Sequence, residues 1–196
     1  MKGKLITIVG INNIGKTTQV KLLPESMSSI GFSCVTQKYP VYDCEPTGSR
    51  INSYIRNKNP EGLTPTEFQY LCAENRRDFE PKLKALLNEN DFVVAEMYNE
   101  SGLAFGLGYD VDEQALINMN KGLLQSDLVI LFDGERFLEA KEIGHYFEKN
   151  DQKIDRIRQI HLDLAKKYNW VTINANMSVD EVQVELIKTI LNSFAD

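Results

Sequence analysis

The chain has 196 residues, of which 42% are hydrophobic and 26% are charged, and its formal net charge is −6. These values predict one globular α/β domain with a substantial core. The acidic balance argues against a general nucleic-acid-binding protein, because such proteins are usually basic. Cys34, Cys44 and Cys72 show no C-x-x-C spacing, which favours reduced thiols in the cytoplasm over a disulfide framework or a zinc site.

Membrane association is not expected from the hydrophobicity pattern. No stretch reaches the roughly 18 apolar residues of a membrane span. Met1–Lys4 lead into the first apolar run without the hydrophobic core of a signal peptide. We therefore expect a cytoplasmic protein with no membrane partner.

Short apolar runs alternate with helical patterns along the chain and predict buried β-strands. These runs are Leu5–Val9, Phe32–Thr36, Phe92–Ala95, Leu128–Phe132 and Trp170–Ile173. Strands that alternate with helices predict a parallel sheet covered by helices on both faces. We expect a three-layer α/β/α fold with a five-stranded parallel sheet, built as a single domain over residues 1–196.

Caps and prolines mark the predicted helix boundaries. Thr64, Pro65 and Glu67 form a capping-box pattern that predicts the start of a long helix. Pro24 predicts a kink or a break near Leu23 in the first helix, and Pro81 predicts a kink in the long helix. The other helices are expected at Ile51–Ile55, after a cap at Asp110 or Asp112, at Glu135–Tyr146, at Asp151–Tyr168, and after a capping box of Ser178 and Glu181.

Gly10–Thr18 matches the P-loop pattern G-x-x-x-x-G-K-[ST]. It lies between the first predicted strand and the first predicted helix, which is the context that this motif requires. The backbone N–H groups of such a loop bind phosphate oxygens, and the Lys and Thr side chains serve the β/γ-phosphates and Mg²⁺. The predicted nucleotide-binding residues are Gly10, Asn12, Asn13, Ile14, Gly15, Lys16, Thr17 and Thr18.

Charged residues near the other strands extend the predicted site. Glu96 follows the third strand, where it can hold Mg²⁺ together with Thr17 or accept a proton. The alternative is that Glu96 caps the next helix. Arg76 and Arg77 point about 100° apart on a helix, so at most one of them faces a cleft. Lys38, at the end of the second strand, is placed to meet a phosphate.

These residues resemble the motifs of thymidylate kinases over nearly the whole chain. Gly15–Gln19 reads GKTTQ, and Lys38-Tyr39-Pro40 falls where the family has Arg-Phe-Pro or Arg-Glu-Pro. Leu71–Arg76 resembles L-F-x-A-[ND]-R, and Glu96–Phe105 resembles D-R-Y-x-x-S-x-x-A-[YF]. Val129–Asp133 resembles the following L-D strand.

The resemblance implies a P-loop kinase fold and transfer of the γ-phosphoryl group of MgATP to dTMP. It also implies a homodimer and a small helical lid, expected at about residues 134–150. Lys38 and Arg76 are expected at the acceptor phosphate. The implied acceptor-binding residues are Lys38, Tyr39, Cys72, Arg76, Ser101 and Tyr109.

Several positions depart from the family pattern. The P-loop carboxylate falls at Asn12, the D-R pair becomes Glu96-Met97, and the phenylalanine that packs on thymine falls at Cys72. The P-loop contains no arginine, and Arg136 is the arginine nearest to the lid region. We therefore predict Lys16, Glu96 and Arg136 as the catalytic residues. The alternative for Arg136 is a surface helix residue. Ala140–Asn150 offer only Lys141, His145 and Lys149 as cations.

These departures leave other functions open. The chain could phosphorylate another nucleoside or nucleoside monophosphate, because the positions that recognise thymine are altered. It could also bind nucleotide with little catalysis, because the family arginines are missing. The intact Lys16 and Thr17 argue against this last alternative.

Overall fold

A computed structural model describes residues 2–137 and 151–195. The strands are β1 (Lys4–Val9), β2 (Cys34–Lys38), β3 (Phe92–Glu96), β4 (Leu128–Asp133) and β5 (Val171–Asn174). They form one five-stranded parallel sheet, as predicted, and the structure shows that their order is β2-β3-β1-β4-β5. The described helices are α1 (Lys16–Ser29), α2 (Thr47–Arg56), α3 (Pro65–Glu89), α4 (Asn99–Gly108), α5 (Glu113–Met119), α6 (Asp151–Tyr168) and α7 (Val179–Ser193).

Helices cover both faces of the sheet. Alternate residues of β1 belong to different core clusters: Ile6 and Ile8 pack with α1 and α7, whereas Leu5 packs with α3. α6 lies on the same face of the sheet as α3 and covers β4 there, because Ala165 of α6 packs with Leu131 of β4. This arrangement places the carboxyl ends of β1 and β3 together at one edge, where ligands of such sheets bind.

The second strand begins two residues later than predicted. Ser33 precedes it and is tied to Asp91, whose Oδ2 accepts hydrogen bonds from both Ser33 N and Ser33 Oγ. Phe32 packs edge-on against Phe92 before the strand begins. The shift has a functional consequence, because β2 extends to Lys38 and pairs this residue with Glu96 of β3.

The prolines do not interrupt their helices. α1 continues through Pro24 to Ser29, so a break near Leu23 is wrong; Leu23 and Met27 on either side of the proline are fully buried and hold the helix against the core. α3 likewise continues through Pro81. The capping box at Thr64 and the one at Ser178 are both present.

The cap before α5 is Asp112, whose Oδ2 accepts from Ala115 N at 2.8 Å. α2 is longer than predicted and starts at Thr47. The predicted helix start at Glu135 is wrong, because residues 135–137 are not helical.

The remainder of the predicted Glu135–Tyr146 helix lies outside the described residues, as does most of the predicted lid with Lys141, His145 and Lys149. Across the described ranges, no helix combines the length and apolarity that crossing a bilayer would require. All three cysteines are free.

Candidate active site

The P-loop has the backbone geometry of a phosphate cradle. Gly10, Asn13 and Gly15 all have positive φ, at 138°, 61° and 84°. A Cβ atom on Gly10 would lie 2.5 Å from the Phe132 carbonyl oxygen, so this position requires glycine. Asn13 is among the residue types that tolerate a left-handed backbone. Lys16 Nζ donates to the carbonyls of Gly10 and Ile11 at 3.0 and 2.6 Å, which holds the ammonium group over the loop.

Three polar side chains meet beside this loop. Thr17 Oγ1 donates to Glu96 Oε1 at 2.7 Å. Lys38 Nζ lies 3.4 Å from the same carboxylate oxygen and 3.4 Å from Thr17 Oγ1. The Glu96 side chain is 4% exposed, whereas that of Lys38 is 57% exposed. Strand pairing explains the meeting, because Glu96 is aligned with Ile8 of β1 on one side and with Lys38 on the other.

This cluster fits Mg²⁺ better than a metal that needs a protein cage. No group of three or more His, Cys, Asp or Glu residues that could hold a metal occurs in the described part of the chain. One hydroxyl and one carboxylate suit Mg²⁺, which keeps waters and takes its remaining ligands from substrate phosphates. Thr17 and Glu96 would be the protein groups that hold the ion.

A cavity of about 340 Å³ opens next to the cluster. Its walls come from the P-loop, the ends of β2, α2 and β3, and the facing sides of α3 and α4. The structure thereby brings together most of the predicted catalytic and acceptor residues. Those that line this cavity are Asn12, Asn13, Lys16, Thr17, Lys38, Tyr39, Cys72, Arg76, Glu96 and Ser101.

A second cavity, of about 330 Å³, lies on the other side of the P-loop. Asn13 lines both cavities, so the two meet at the loop. The predicted residues Ile14, Gly15 and Thr18 line the second cavity and do not line the first. Its other walls are largely apolar and include Phe132, Phe137, Ala175, Met177, Val179 and Val182. An apolar cavity next to a phosphate-binding loop suits a flat base.

Arg76 and Arg77 take opposite roles, as their spacing predicts. Arg76 is 5% exposed and lines the first cavity. Its Nη1 donates to Asn120 Oδ1 at 3.1 Å, its Nη2 donates to the Tyr98 carbonyl at 3.2 Å, and its buried Nε has no partner. Arg77 instead pairs with Glu74 on the same helix.

Arg136 lies close to the P-loop but lines neither cavity. Its neighbour Phe137 donates through its backbone N to the Asn13 carbonyl at 2.8 Å. The Arg136 side chain is 9% exposed, and Nη1 pairs with Asp151 at 2.8 Å. Its Nε and Nη2 are buried and have no hydrogen-bond partner. The side chain is therefore mostly buried.

Tyr109 is the predicted acceptor residue that the structure places elsewhere. It follows α4, packs against the core, and carries Lys153 Nζ over its ring at 4.9 Å from the centroid. It does not line the acceptor-side cavity. Tyr109 has nearly the same helical phase as Gly102 and Phe105, which line the cavity. It lies one turn beyond Phe105, past the end of α4 at Gly108, and is therefore displaced from the cavity along the helix axis.

Burial shifts the pKa values of two side chains near the site. It raises the thiol pKa of Cys72 to about 11, with Arg76 opposing the shift only in part, so Cys72 is a neutral, unreactive wall of the cavity. It lowers the pKa of His161 to about 4. His161 is packed edge-on against Phe105, which agrees with a packing histidine.

Sequence reasoning missed several residues of the first cavity. Phe68 and Gln69 line it from α3, and Tyr42, Ile55 and Arg56 line it from the preceding segment. One usable signal existed: residue 69 is three residues before Cys72 and seven before Arg76, so all three share a helix face.

This fold and site are typical of a P-loop phosphotransferase, with two cavities that meet at the P-loop. The family model of thymidylate kinase matches residues 8–186. The thymidylate kinase of Dictyostelium discoideum is 27% identical over 94% of this chain and 83% of its own length. The probable thymidylate kinase of Methanocaldococcus jannaschii is 30% identical over 95% of both chains.

A solved structure agrees with these relatives. The thymidylate kinase of Candida albicans superimposes with a TM-score of 0.80 at 25% identity, over 97% of this chain and 92% of its own. The chain therefore belongs to the thymidylate kinase family.

Proposed function

We propose that the protein transfers the γ-phosphoryl group of MgATP to a deoxynucleoside monophosphate, with dTMP as the acceptor. The observation that carries this proposal is the pair of cavities that meet at Asn13 of the P-loop, with Thr17, Glu96 and Lys38 in the first of them. A donor in one cavity and an acceptor in the other would present the reacting groups to each other beside the P-loop. Family membership supplies the reaction type.

On the donor side, the P-loop backbone binds the phosphates and Lys16 neutralises charge on the β- and γ-phosphates. Thr17 and Glu96 would hold Mg²⁺, which would supply positive charge to the transferred group. Ile14, Gly15 and Thr18 border the cavity assigned to the donor base. Little covalent chemistry is needed, because catalysis of phosphoryl transfer is mostly positioning and charge stabilisation.

On the acceptor side, Lys38 and Arg76 take different positions. Lys38 contacts Thr17 and Glu96, so we assign it to the acceptor phosphate. Arg76 lies on the same face of α3 as Cys72, so we assign it to the acceptor base rather than the phosphate. Tyr39 and Ser101 complete the wall of this cavity, and Tyr109 has no direct role.

Arg136 is our candidate for the missing catalytic arginine. Its Nε and Nη2 groups are buried without partners beside the residue that bonds to the P-loop. A buried, unsatisfied guanidinium is costly. Because Arg136 lines neither cavity, its side chain would have to turn toward the P-loop for an anionic phosphoryl group to satisfy it. The role would be to stabilise the charge of the transferred group.

The working form proposed here is a cytoplasmic homodimer with no nucleic-acid or membrane partner, as the family resemblance implies. The free cysteines support the cytoplasmic location. The net charge of −6 supports the absence of a nucleic-acid partner. Residues 134–150 are proposed as the lid, although only their first part is described.

An acceptor panel in a coupled assay with ATP and Mg²⁺ tests the function. We expect turnover of dTMP well above that of other nucleoside monophosphates and of nucleosides. Lys16→Ala should abolish transfer, whereas Lys21→Ala, on the exposed side of α1, should not. A preference for a nucleoside would identify another kinase, and ATP binding without turnover of any acceptor would identify a nucleotide-binding protein.

A further inference from the structure

Two buried amide side chains of α3 differ in their hydrogen bonding. The Asn75 amide donates to Val41 O and Thr47 Oγ1, both at 2.9 Å, and accepts from Val41 N at 2.8 Å. Gln69 is 6% exposed, and within the described residues it has no hydrogen-bond partner. The Gln69 amide atoms are not among the fully buried polar atoms that lack a partner, and the residue lines the first cavity, so its amide is open to that cavity. The hydrogen bonds of Asn75 are thus satisfied within the protein, whereas those of Gln69 are available to a ligand.

Gln69 faces the acceptor cavity together with Cys72 and Arg76. The three residues are spaced by three and four positions, so they lie along one face of α3. A helix rises 1.5 Å per residue, so the backbones of Gln69 and Arg76 are about 10 Å apart. The short side chain of Cys72 lies between them and leaves room for a ligand that both long side chains can reach.

The side chains of Gln69 and Arg76 offer different hydrogen-bonding groups to a ligand. A guanidinium donates hydrogen bonds and cannot accept them. Arg76 lines the cavity, and its Nη1 and Nη2 each carry one hydrogen beyond the bonds to Asn120 and Tyr98, so it fits an oxo group and opposes an amino group. A glutamine amide presents one acceptor and one donor group side by side. It fits a base edge on which an N–H group lies next to an oxo group.

We propose that Gln69 is a specificity-determining residue that binds the imide edge of the acceptor base. Its Oε1 accepts from the ring N3–H group and its Nε2 donates to one adjacent oxo group, while Arg76 donates to the other. This inference rests on the proposed function, since thymine carries such an imide. Cytosine is disfavoured, because its amino group would face the donors of Arg76.

The test uses Gln69→Met, which keeps the length of the side chain and removes both hydrogen-bonding groups. Gln114→Met, on the exposed side of α5, is the matched control. Steady-state kinetics are measured with dTMP, with its N3-methyl derivative, and with dCMP, and thermal unfolding checks the fold. In Gln69→Met we expect the KM for dTMP to rise roughly 10-fold or more, with the KM for ATP unchanged.

The N3-methyl derivative isolates the atom in question. The wild-type enzyme should discriminate against it strongly, and Gln69→Met should lose most of this discrimination because the group that reads N3–H is gone. Gln69→Glu, which keeps an acceptor and removes the donor, should fall between the two and serves as the second variant if Gln69→Met is unstable.

A KM for dTMP within about twofold of wild type, with the N3-methyl discrimination intact, would overturn the role of Gln69. The proposed function would survive that result. A wild-type enzyme that neither binds nor phosphorylates dTMP would overturn both, and the acceptor panel distinguishes the two failures.

Discussion

Thr17 Oγ1 donates a 2.7 Å hydrogen bond to Glu96 Oε1. The two residues are 79 positions apart in the sequence, yet they join the first turn of α1 to the last residue of β3. The bond depends on the parallel pairing of β1 with β3, which brings the ends of both strands to one edge. It holds the hydroxyl and the carboxylate together beside the P-loop, as the proposed metal site requires.

Glu96→Gln tests this pair. The substitution keeps the shape of the side chain and its ability to accept from Thr17, but it removes the charge that would hold Mg²⁺. We expect kcat to fall roughly 100-fold or more, with a rise in the Mg²⁺ concentration needed for half-maximal rate. Glu25→Gln, on the exposed side of α1, is the control. Wild-type Mg²⁺ dependence in Glu96→Gln would reduce Glu96 to a structural role.

Arg136→Ala tests the buried guanidinium. If Arg136 stabilises the transferred phosphoryl group, kcat should fall roughly 10³-fold with little change in the KM for dTMP. Arg136→Lys should recover only part of the rate, because lysine lacks the planar array of donors. Arg156→Ala is the control, since that half-exposed arginine pairs with Asp110 away from both cavities. An unchanged kcat in Arg136→Ala would leave Arg136 with its structural contacts alone.

Gly102→Ala tests the position of Arg76. A Cβ atom on Gly102 would lie 2.7 Å from Arg76 Nη2, so the guanidinium must move. Alanine in a helix is intrinsically more favourable than glycine by about 0.5–1 kcal/mol, so the protein should stay folded. We expect the KM for dTMP to rise severalfold while the KM for ATP stays constant. A matching rise in both KM values would indicate a general distortion instead.

His161 predicts a pH dependence of stability. Burial lowers its pKa to about 4 in the folded protein, against about 6.5 in the unfolded chain. The unfolded state therefore binds the proton first as the pH falls. The free energy of unfolding should be insensitive to this group above about pH 6.5 and should decrease between about pH 6.5 and 4, by roughly 3 kcal/mol in total.

Denaturant unfolding of wild type and His161→Leu across this pH range measures the effect. Carboxylates titrate in both proteins, so the difference between the two curves reports the histidine. The variant should lose stability less steeply on acidification. Parallel curves for the two proteins would show that His161 is not buried in its neutral form.

Features of the chain that depend on neighbours in sequence could be predicted well. The P-loop, the five strands and the capping boxes at Thr64 and Ser178 are local patterns, and each is present. The boundary of β2 was misplaced, because the Ser33–Asp91 hydrogen bonds that delay its start join distant segments. The break expected at Pro24 failed because core packing outweighed the loss of one helical hydrogen bond.

The composition of the acceptor cavity could be predicted only in part. Arg76 was separated from Arg77 by helical phase alone, which is a local property. Gln69 carried no motif. Tyr109 was assigned to a cavity that it does not line, because it lies past the end of α4, one turn beyond Phe105.

The sequence by itself predicted a phosphate-binding loop and a parallel α/β fold, because a strand, a glycine-bounded loop and a helix are specified within about 25 residues. The tertiary structure decided which distant groups lie beside that loop. Lys38 and Glu96 come together through the β2–β3 register, and register is fixed by how a whole sheet packs. The role proposed for Gln69 also depends on tertiary structure, because the cavity that Gln69 lines forms only when the helices pack together.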